Sequence, residues 1–229
     1  TAINDDFGQP EMRTNITQIL SKVYELSGSA AETKAYGRES EEARLKLNAI
    51  KSVRRDLENA CVGTGQTLVV RTSSVAGKFN GVQAMISSVV TTAAAGSALT
   101  KDLLDSTHLK SWNVGGNPTI AMVSAANAHK ISGFFGSSRQ IVDGNKTATD
   151  VVEVYVNAYG TLKVVKNRRL RATDVVLYDP KNFKLMAFRE FKNEELAKTA
   201  DSTRAMIVGE YGLKHVNYDA SALISGLQA

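Results

Sequence analysis

Apolar residues recur at three- and four-residue steps through residues 38–61, the longest helical pattern in the chain. The stripe consists of Ala43, Leu47, Ile50, Leu57 and Cys61, with Val53 beside it. Glutamates crowd the first turn, where they favour the positive end of the helix dipole. At about 1.5 Å per residue, this pattern predicts a helix roughly 35 Å long. We expect its apolar stripe to pack against C-terminal strands of the same subunit.

Shorter patterns predict a mixture of helices and strands around this long helix. Residues 98–112 favour a second helix, and Ser124 is a candidate N-cap for a third, with Ala128, Ile131 and Phe135 on one face. Residues 82–98 predict an irregular loop or a weak strand. The predicted strands are residues 14–27, 68–70, 119–123, 151–156, 161–166, 174–178, 184–188, 205–216 and 220–227.

Turn residues predict how the later strands connect. A β-hairpin is expected around residues 158–160 and a second around 179–182, because each turn separates two apolar runs. Residues 143–145 predict another turn, residues 193–199 a short helix or loop, and residues 217–219 the connection between the last two strands. Helices and strands do not alternate in regular βαβ order, so the sequence predicts an α+β fold.

Composition and charge limit the possible functions. Hydrophobic residues make up 43% of the 229 residues, which is typical of a globular protein. The net charge of +5 is far below that of a dedicated DNA-binding domain. No apolar run is long enough to span a bilayer, and no secretory signal pattern is present. A single cysteine excludes an intrachain disulfide and favours a reducing compartment.

Catalytic chemistry is not indicated by any motif. The three histidines lack metal-ligand spacing, and Cys61 lies on the apolar stripe, where a thiol is inert. The glycines near residues 63–65 and 77–78 lack the remaining residues of nucleotide-binding loops and predict turns. We therefore expect neither an enzyme nor a cofactor or metal site.

Two charged clusters are candidate interaction sites. The long helix carries Arg54, Arg55, Asp56 and Glu58, either paired locally, as Arg54 with Glu58 would be, or in contact with another subunit. The densest basic cluster contains Lys163, Lys166, Arg168, Arg169 and Arg171. A solvated face or an inter-subunit set of ion pairs is favoured for it over phosphate contacts, and few aromatic residues lie between the basic ones.

Several strings are similar to the major capsid (head) proteins of tailed bacteriophages, and in particular to the group of the phage SU-ten head protein. The strings are TNITQI at residues 14–19, RRDLENA at 54–60, AYGTLKVVKNR at 158–168 and ELAKTADSTRAMIVGEYGLKHVN at 195–217. The resemblance implies the Hong Kong 97-type fold. Members of this group usually carry a longer N-terminal region, which implies proteolytic maturation or truncation before Thr1.

The resemblance also implies a division of the chain into four regions. Residues 1–30 would be the remnant of an extended loop with its return strand. Residues 31–79 would form a peripheral domain around the spine helix at 38–61. Residues 80–185 would form the axial domain, and residues 186–229 the C-terminal strands of the peripheral domain.

The function implied by the resemblance is that of a shell subunit. Such a subunit would assemble with copies of itself, as pentamers and hexamers, into the icosahedral head that encloses double-stranded DNA. Portal, scaffold, maturation protease and decoration proteins would be further partners. The shell would form in the host cytoplasm without a membrane and become part of the virion. The alternatives are an encapsulin-like compartment and a nucleic-acid-binding protein that uses residues 163–171.

Overall fold

A computed structural model describes residues 12–33, 40–63, 65–134, 154–198 and 200–228. The helices are α1 (Gly28–Glu32), α2 (Glu41–Glu58), α3 (Val82–Met85), α4 (Lys101–Asn113) and α5 (Ala125–Gly133). The strands are β1 (Gln18–Ser27), β2 (Thr91–Ala93), β3 (Ile120–Val123), β4 (Val154–Asn157), β5 (Gly160–Lys166), β6 (Val175–Tyr178), β7 (Phe183–Glu195), β8 (Ser202–His215) and β9 (Ala222–Ser225). The predicted mixture of helix and sheet is confirmed.

A three-stranded antiparallel sheet in the order β1-β8-β7 carries the long helix. β1 pairs with β8 along its whole length, from Gln18 opposite Tyr211 to Ser27 opposite Ser202. α2 lies on one face of this sheet, and the buried residues between them are Tyr24, Ala49, Val53, Ala205 and Ile207. The predictions of a strand within residues 14–27 and of helix packing on a C-terminal strand are confirmed.

The buried face of α2 agrees with the predicted stripe only in part. Ile50, Leu57 and Cys61 are partly buried against the two cores, as predicted. Ala43 and Leu47 are exposed, and Ala49 is buried instead. Val53 is 1% exposed, whereas Leu47 is 51% exposed. Six residues separate them, which places their side chains about 120° apart on a helix. Ala49 and Val53 are small and allow the helix to approach the sheet closely. The helix begins at Glu41 because the Ser40 hydroxyl accepts a hydrogen bond from the Ala43 amide at 3.2 Å, and it ends in a π-helical turn at Asn59–Gly63.

The second sheet has six strands in the order β2-β9-β6-β3-β5-β4. α4 and α5 pack against it, and Leu104 of α4, Ile131 of α5 and Leu162 of β5 are fully buried in the larger hydrophobic core. The predicted cap of α5 is confirmed, since the Ser124 hydroxyl accepts from the Asn127 amide at 3.3 Å. The hairpin of β4 and β5 is also confirmed.

The hairpin predicted around residues 179–182 is wrong, because the chain changes sheets there. β6 belongs to the six-stranded sheet and β7 to the three-stranded sheet, with a 3₁₀ turn at Pro180–Asn182 between them. The Asp179 carboxylate accepts from the Lys181 amide at 3.0 Å and stabilises this turn. Residues 217–219 connect β8 and β9, as predicted, although these two strands lie in different sheets. β7 runs to Glu195, so the predicted helix or loop at residues 193–199 is a strand over its first part.

The remaining local predictions differ in detail. The expected strand at residues 68–70 is a single bridge between Val69 and Lys78. Residues 82–98 contain the short helix α3, a 3₁₀ turn at Ser88–Val90 and the weak strand β2. The predicted turn at residues 143–145 and the face position Phe135 lie outside the described residues.

Candidate interaction surfaces

The face of the three-stranded sheet opposite α2 carries apolar side chains. Directly paired residues of antiparallel strands point to the same side, so Val23 and Met206 share this face. Val23 is 52% exposed and Ile19 is 43% exposed. Within the described ranges, no helix covers this face, and only its end near Ile19 and Glu210 is met by the loop of residues 71–77. We call it the uncovered sheet face.

β7 forms one edge of the same sheet and is exposed along nearly its whole length. Three large apolar side chains on β7 are exposed to solvent: Leu185 at 49%, Met186 at 51% and Phe188 at 73%. Its pairing with β8 shifts register near Phe188 and again before Lys192. An edge strand offers unpaired backbone donors and acceptors, and such bulges limit indiscriminate pairing. This edge is therefore suited to a specific contact.

Glu210 joins four separate segments of the chain. Its carboxylate accepts from the Thr17 hydroxyl at 2.5 Å, from Arg71 Nη2 at 3.4 Å and from Arg189 Nε at 3.3 Å. The Thr17 hydroxyl and the two guanidinium groups hold the pKa of Glu210 below its ordinary value. The N-terminal segment and the loop containing Arg71 are thus tied to β8 and β7.

The charged cluster on α2 is solvent-exposed. Arg54, Arg55, Asp56 and Glu58 all have exposed side chains. Among the ion pairs of the described residues, none joins Arg54 to Glu58, so the local pairing considered from the sequence is not formed. Contact of this cluster with another subunit stays a prediction.

The basic cluster divides into two parts. Lys163 lies within β5 and Lys166 at its end, and three residues along a strand place their side chains on opposite faces. Arg168, Arg169 and Arg171 lie in the loop that follows, and all three are exposed. Arg171 Nε is 3.9 Å from Asp174 Oδ2.

The loop carrying these arginines packs against the C-terminal end of the long helix. A Cβ atom added to Gly63, the last residue of the π-helical turn, would lie 2.9 Å from the Arg169 carbonyl oxygen. A Cβ atom added to Gly65 would lie 3.2 Å from Arg171 Nη1. The loop of the basic cluster thus lies beside the C-terminal end of the helix that carries the other charged cluster. Sequence reasoning missed this contact, because the two glycines indicated only turns.

The groups with reactive potential are buried and serve packing. Burial raises the pKa of Cys61 to about 11 and lowers that of His215 to about 4. The His215 ring stacks on Phe183 with 3.9 Å between ring centroids, and its Nε2 lies 3.1 Å from the Ser221 hydroxyl. Burial also lowers the pKa of His108, which contacts Asn157 Nδ2 at 3.0 Å.

Two other kinds of feature are absent from the described part of the chain. No group of histidine, cysteine, aspartate and glutamate side chains is placed to hold a metal ion there. None of the described helices combines the length and the apolar character needed to cross a bilayer.

Solved structures of shell proteins share this fold. The cyanophage A-1(L) capsid matches with a TM-score of 0.70 at 9% identity, over 93% of this chain and 78% of that chain. The holo-SrpI encapsulin complex from Synechococcus elongatus PCC 7942 matches with a TM-score of 0.62 at 9% identity, over 92% and 74%. The satellite phage P4 procapsid, which includes the size determination (Sid) protein, matches with a TM-score of 0.61 at 9% identity, over 99% and 77%. The fold is therefore the Hong Kong 97-type fold of phage capsid proteins.

Sequence comparison defines the family within this class. The family model of the SU10 major capsid protein matches residues 1–228. A major capsid protein of Escherichia phage Phieco32 is 26% identical over 266 residues, which cover 93% of this chain and 75% of the relative. The chain belongs to the SU10 major capsid protein family, as the sequence strings predicted.

Proposed function

We propose that this chain self-assembles into the icosahedral head shell that encloses the double-stranded DNA genome of a tailed bacteriophage, and that it has no catalytic activity. Membership of the major capsid protein family supports a structural role. The observation that carries the proposal is the three-stranded sheet, which has one face and one long edge exposed. A free subunit leaves such apolar surface in water, whereas neighbouring copies in a shell bury it.

The two sheets support a division into two domains. We assign α2 and the three-stranded sheet to the peripheral domain, which keeps the spine helix within residues 38–61, and we assign the six-stranded sheet to the axial domain of residues 80–185. β9 joins the six-stranded sheet, so residues 222–225 go with the axial domain in this proposal. The remnant of the extended loop, residues 1–30, includes β1.

The partners follow from this role. Copies of the chain itself would form pentamers and hexamers, and portal, scaffold, maturation protease and decoration proteins would act on or beside them. Assembly would take place in the host cytoplasm, and the product would be part of the virion. Exposed Arg54, Arg55, Asp56 and Glu58 are proposed contacts to these neighbours or to the genome.

The proposal is tested by whether a variant with a charge on the uncovered sheet face still assembles into shells. Val23→Glu places a charge on the uncovered sheet face, where a neighbour would bury an apolar side chain. Leu47→Glu is the control, because it places the same charge on an exposed position of α2, which lies on the other face of the sheet. Size-exclusion chromatography and negative-stain microscopy should show shells for the unaltered protein and for Leu47→Glu, and only small species for folded Val23→Glu. Normal shells from Val23→Glu would remove this face as an interface. A strictly monomeric unaltered protein would contradict the shell function.

An encapsulin-like compartment is the second candidate, and the similarity to the SrpI encapsulin fold favours it. Purified particles distinguish the two functions. Nuclease-protected duplex DNA is expected inside a phage head, whereas a compartment would contain a protein cargo and no genome.

A further inference from the structure

Two crossings of the chain between the two sheets run side by side. The first leads from β6 to β7 through the 3₁₀ turn at Pro180–Asn182, and the second leads from β8 to β9. A hydrogen bond 2.9 Å long, from the Val216 amide to the Asn182 carbonyl, ties the two crossings together. We call this place, residues 178–183 and 215–221, the joint.

Four aromatic rings lie in a row through the joint. Phe183, the first residue of β7, stacks on His215, the last residue of β8, with 3.9 Å between ring centroids and 6° between ring planes. Tyr178 packs edge-on against Phe183 at 5.7 Å, and Tyr218 packs edge-on against His215 at 5.1 Å. Among these rings only the imidazole becomes charged by binding a proton, so His215 makes the packing of the joint dependent on pH.

The surroundings of His215 suit a neutral ring. Its side chain is 6% exposed, and its Nε2 lies 3.1 Å from the hydroxyl of the fully buried Ser221. Burial lowers the pKa of His215 to about 4 and outweighs the Met85 backbone and the Asp219 carboxylate, which both favour the protonated ring. The closed joint therefore excludes the proton near neutral pH.

The other charged groups on the elements around His215 are cations. Arg13 of the N-terminal segment lies over the Tyr218 ring, with its Cζ 4.7 Å from the centroid. Lys184 and Lys214 are paired with each other on β7 and β8, next to the stacked rings. Because a cation offers no counter-charge to an imidazolium, a proton on His215 is left with Asp219 as its acidic neighbour.

We propose that His215 makes the joint acid-sensitive: a proton on its ring breaks the stack with Phe183 and separates the two crossings, so that the two sheets turn relative to each other. This opening is a property of the single subunit. Its consequence for a shell, a change of shape in acid, rests on the proposed shell function.

Proton linkage gives the size of the effect. The pKa of His215 is its ordinary 6.5 in an open joint and about 4 in the closed one. The closed joint binds fewer protons, so its stability is complete above pH 6.5 and is lost as the pH falls from 6.5 to 4. Between pH 7 and pH 5, the ratio of open to closed joints should rise about 25-fold.

Hydrogen exchange of the Val216 amide in the unassembled subunit measures this opening, because the amide loses its acceptor when the crossings separate. Its protection factor should fall about 25-fold between pH 7 and pH 5. The amides of Leu162 and Ile207, each on an interior strand of its sheet, should be better protected than Val216 at both pH values. Equal protection of all three amides would mean that the joint opens only on global unfolding, and would overturn the proposal.

Two variants without a titratable group at this position should lose the pH effect on Val216. His215→Gln removes the imidazole, and His215→Phe/Ser221→Ala keeps a stacked ring while replacing both hydrogen-bonding partners by apolar groups. His129→Gln, on an exposed position of α5, is the control and should keep the 25-fold change. An undiminished fall in protection in both His215 variants would overturn the proposal, whether or not the chain forms shells.

Discussion

The two sheets of this subunit differ most in how much core each has of its own. In the described part of the chain, the core of the six-stranded sheet contains 26 buried apolar residues, whereas the one between α2 and the three-stranded sheet contains five. The larger core also includes Leu213 of β8 and Ala60 and Val62 at the end of the long helix, so the two regions share it. The smaller one leaves a sheet face exposed, so this part of the subunit gains stability when other molecules cover it.

The largest effect is expected for Val53→Asp in the small core. A carboxylate at a position that is 1% exposed has no cationic partner there, and an unpaired buried charge costs about 4 kcal/mol. Urea unfolding followed by circular dichroism should show the loss, with α2 detaching from the sheet. Leu47→Asp on the exposed side of the same helix is the control. Similar losses in both variants would mean that the wrong face of α2 has been assigned to the core.

A smaller effect is expected for Leu104→Ala in the large core. Leu104 is fully buried, and removal of its side chain beyond Cβ leaves a cavity that costs about 3 kcal/mol in the free energy of unfolding. Leu185→Ala on β7 removes the same atoms from a residue that is 49% exposed and should cost less than about 1 kcal/mol in the free subunit. Equal costs in urea titrations would abolish the contrast between the two regions.

The smallest effect is expected for Glu210→Gln, which tests how the outer segments are held on the small sheet. The ion pairs with Arg71 and Arg189 contribute about 1–2 kcal/mol near neutral pH. The folded-state pKa of Glu210 lies below its ordinary value of 4.5, so this stabilisation is complete above that pH and is lost as the pH falls through the folded-state pKa.

Thermal unfolding of the two proteins between pH 7 and pH 3 measures this contribution. The difference between them should be largest near neutral pH and should shrink below about pH 4.5. A difference that does not change with pH would show that the charge of Glu210 is irrelevant. Arg189→Gln should lower the thermal stability by a smaller amount with the same dependence on pH, because the ion pair of Glu210 with Arg71 remains.

The sequence predicted correctly those elements that are determined by residues close together in the chain. The Ser124 cap, the β4–β5 hairpin and the strand within residues 14–27 follow from neighbouring residues. The face of α2 followed only in part, because Ile50 and Leu57 pack as predicted whereas Leu47 is exposed. Leu47 is more hydrophobic than Ala49, but Ala49 is the residue that allows the helix to approach β1 and β8 closely. Sheet membership of β7 and β9 depends on pairing over long sequence separations, which a local pattern does not report.

The candidate surfaces were predicted only as lists of charges. The residue types identified Arg54 and Arg169 as members of two separate clusters, whereas the position of the Arg169 loop beside Gly63 depends on tertiary contacts. The assignment to a capsid protein family came instead from strings of sequence. These strings report common ancestry and carry no information on which side of the subunit each charge occupies.

The position of β9 has a consequence for the order of events during synthesis. β9 is an interior strand of the six-stranded sheet, between β2 and β6, and it pairs with residues 91–93 as well as with β6. The sheet therefore stays incomplete until residues 222–225 have left the ribosome. A nascent chain that stops earlier has no strand to fill this gap, so the axial sheet can be completed only after β9 has left the ribosome.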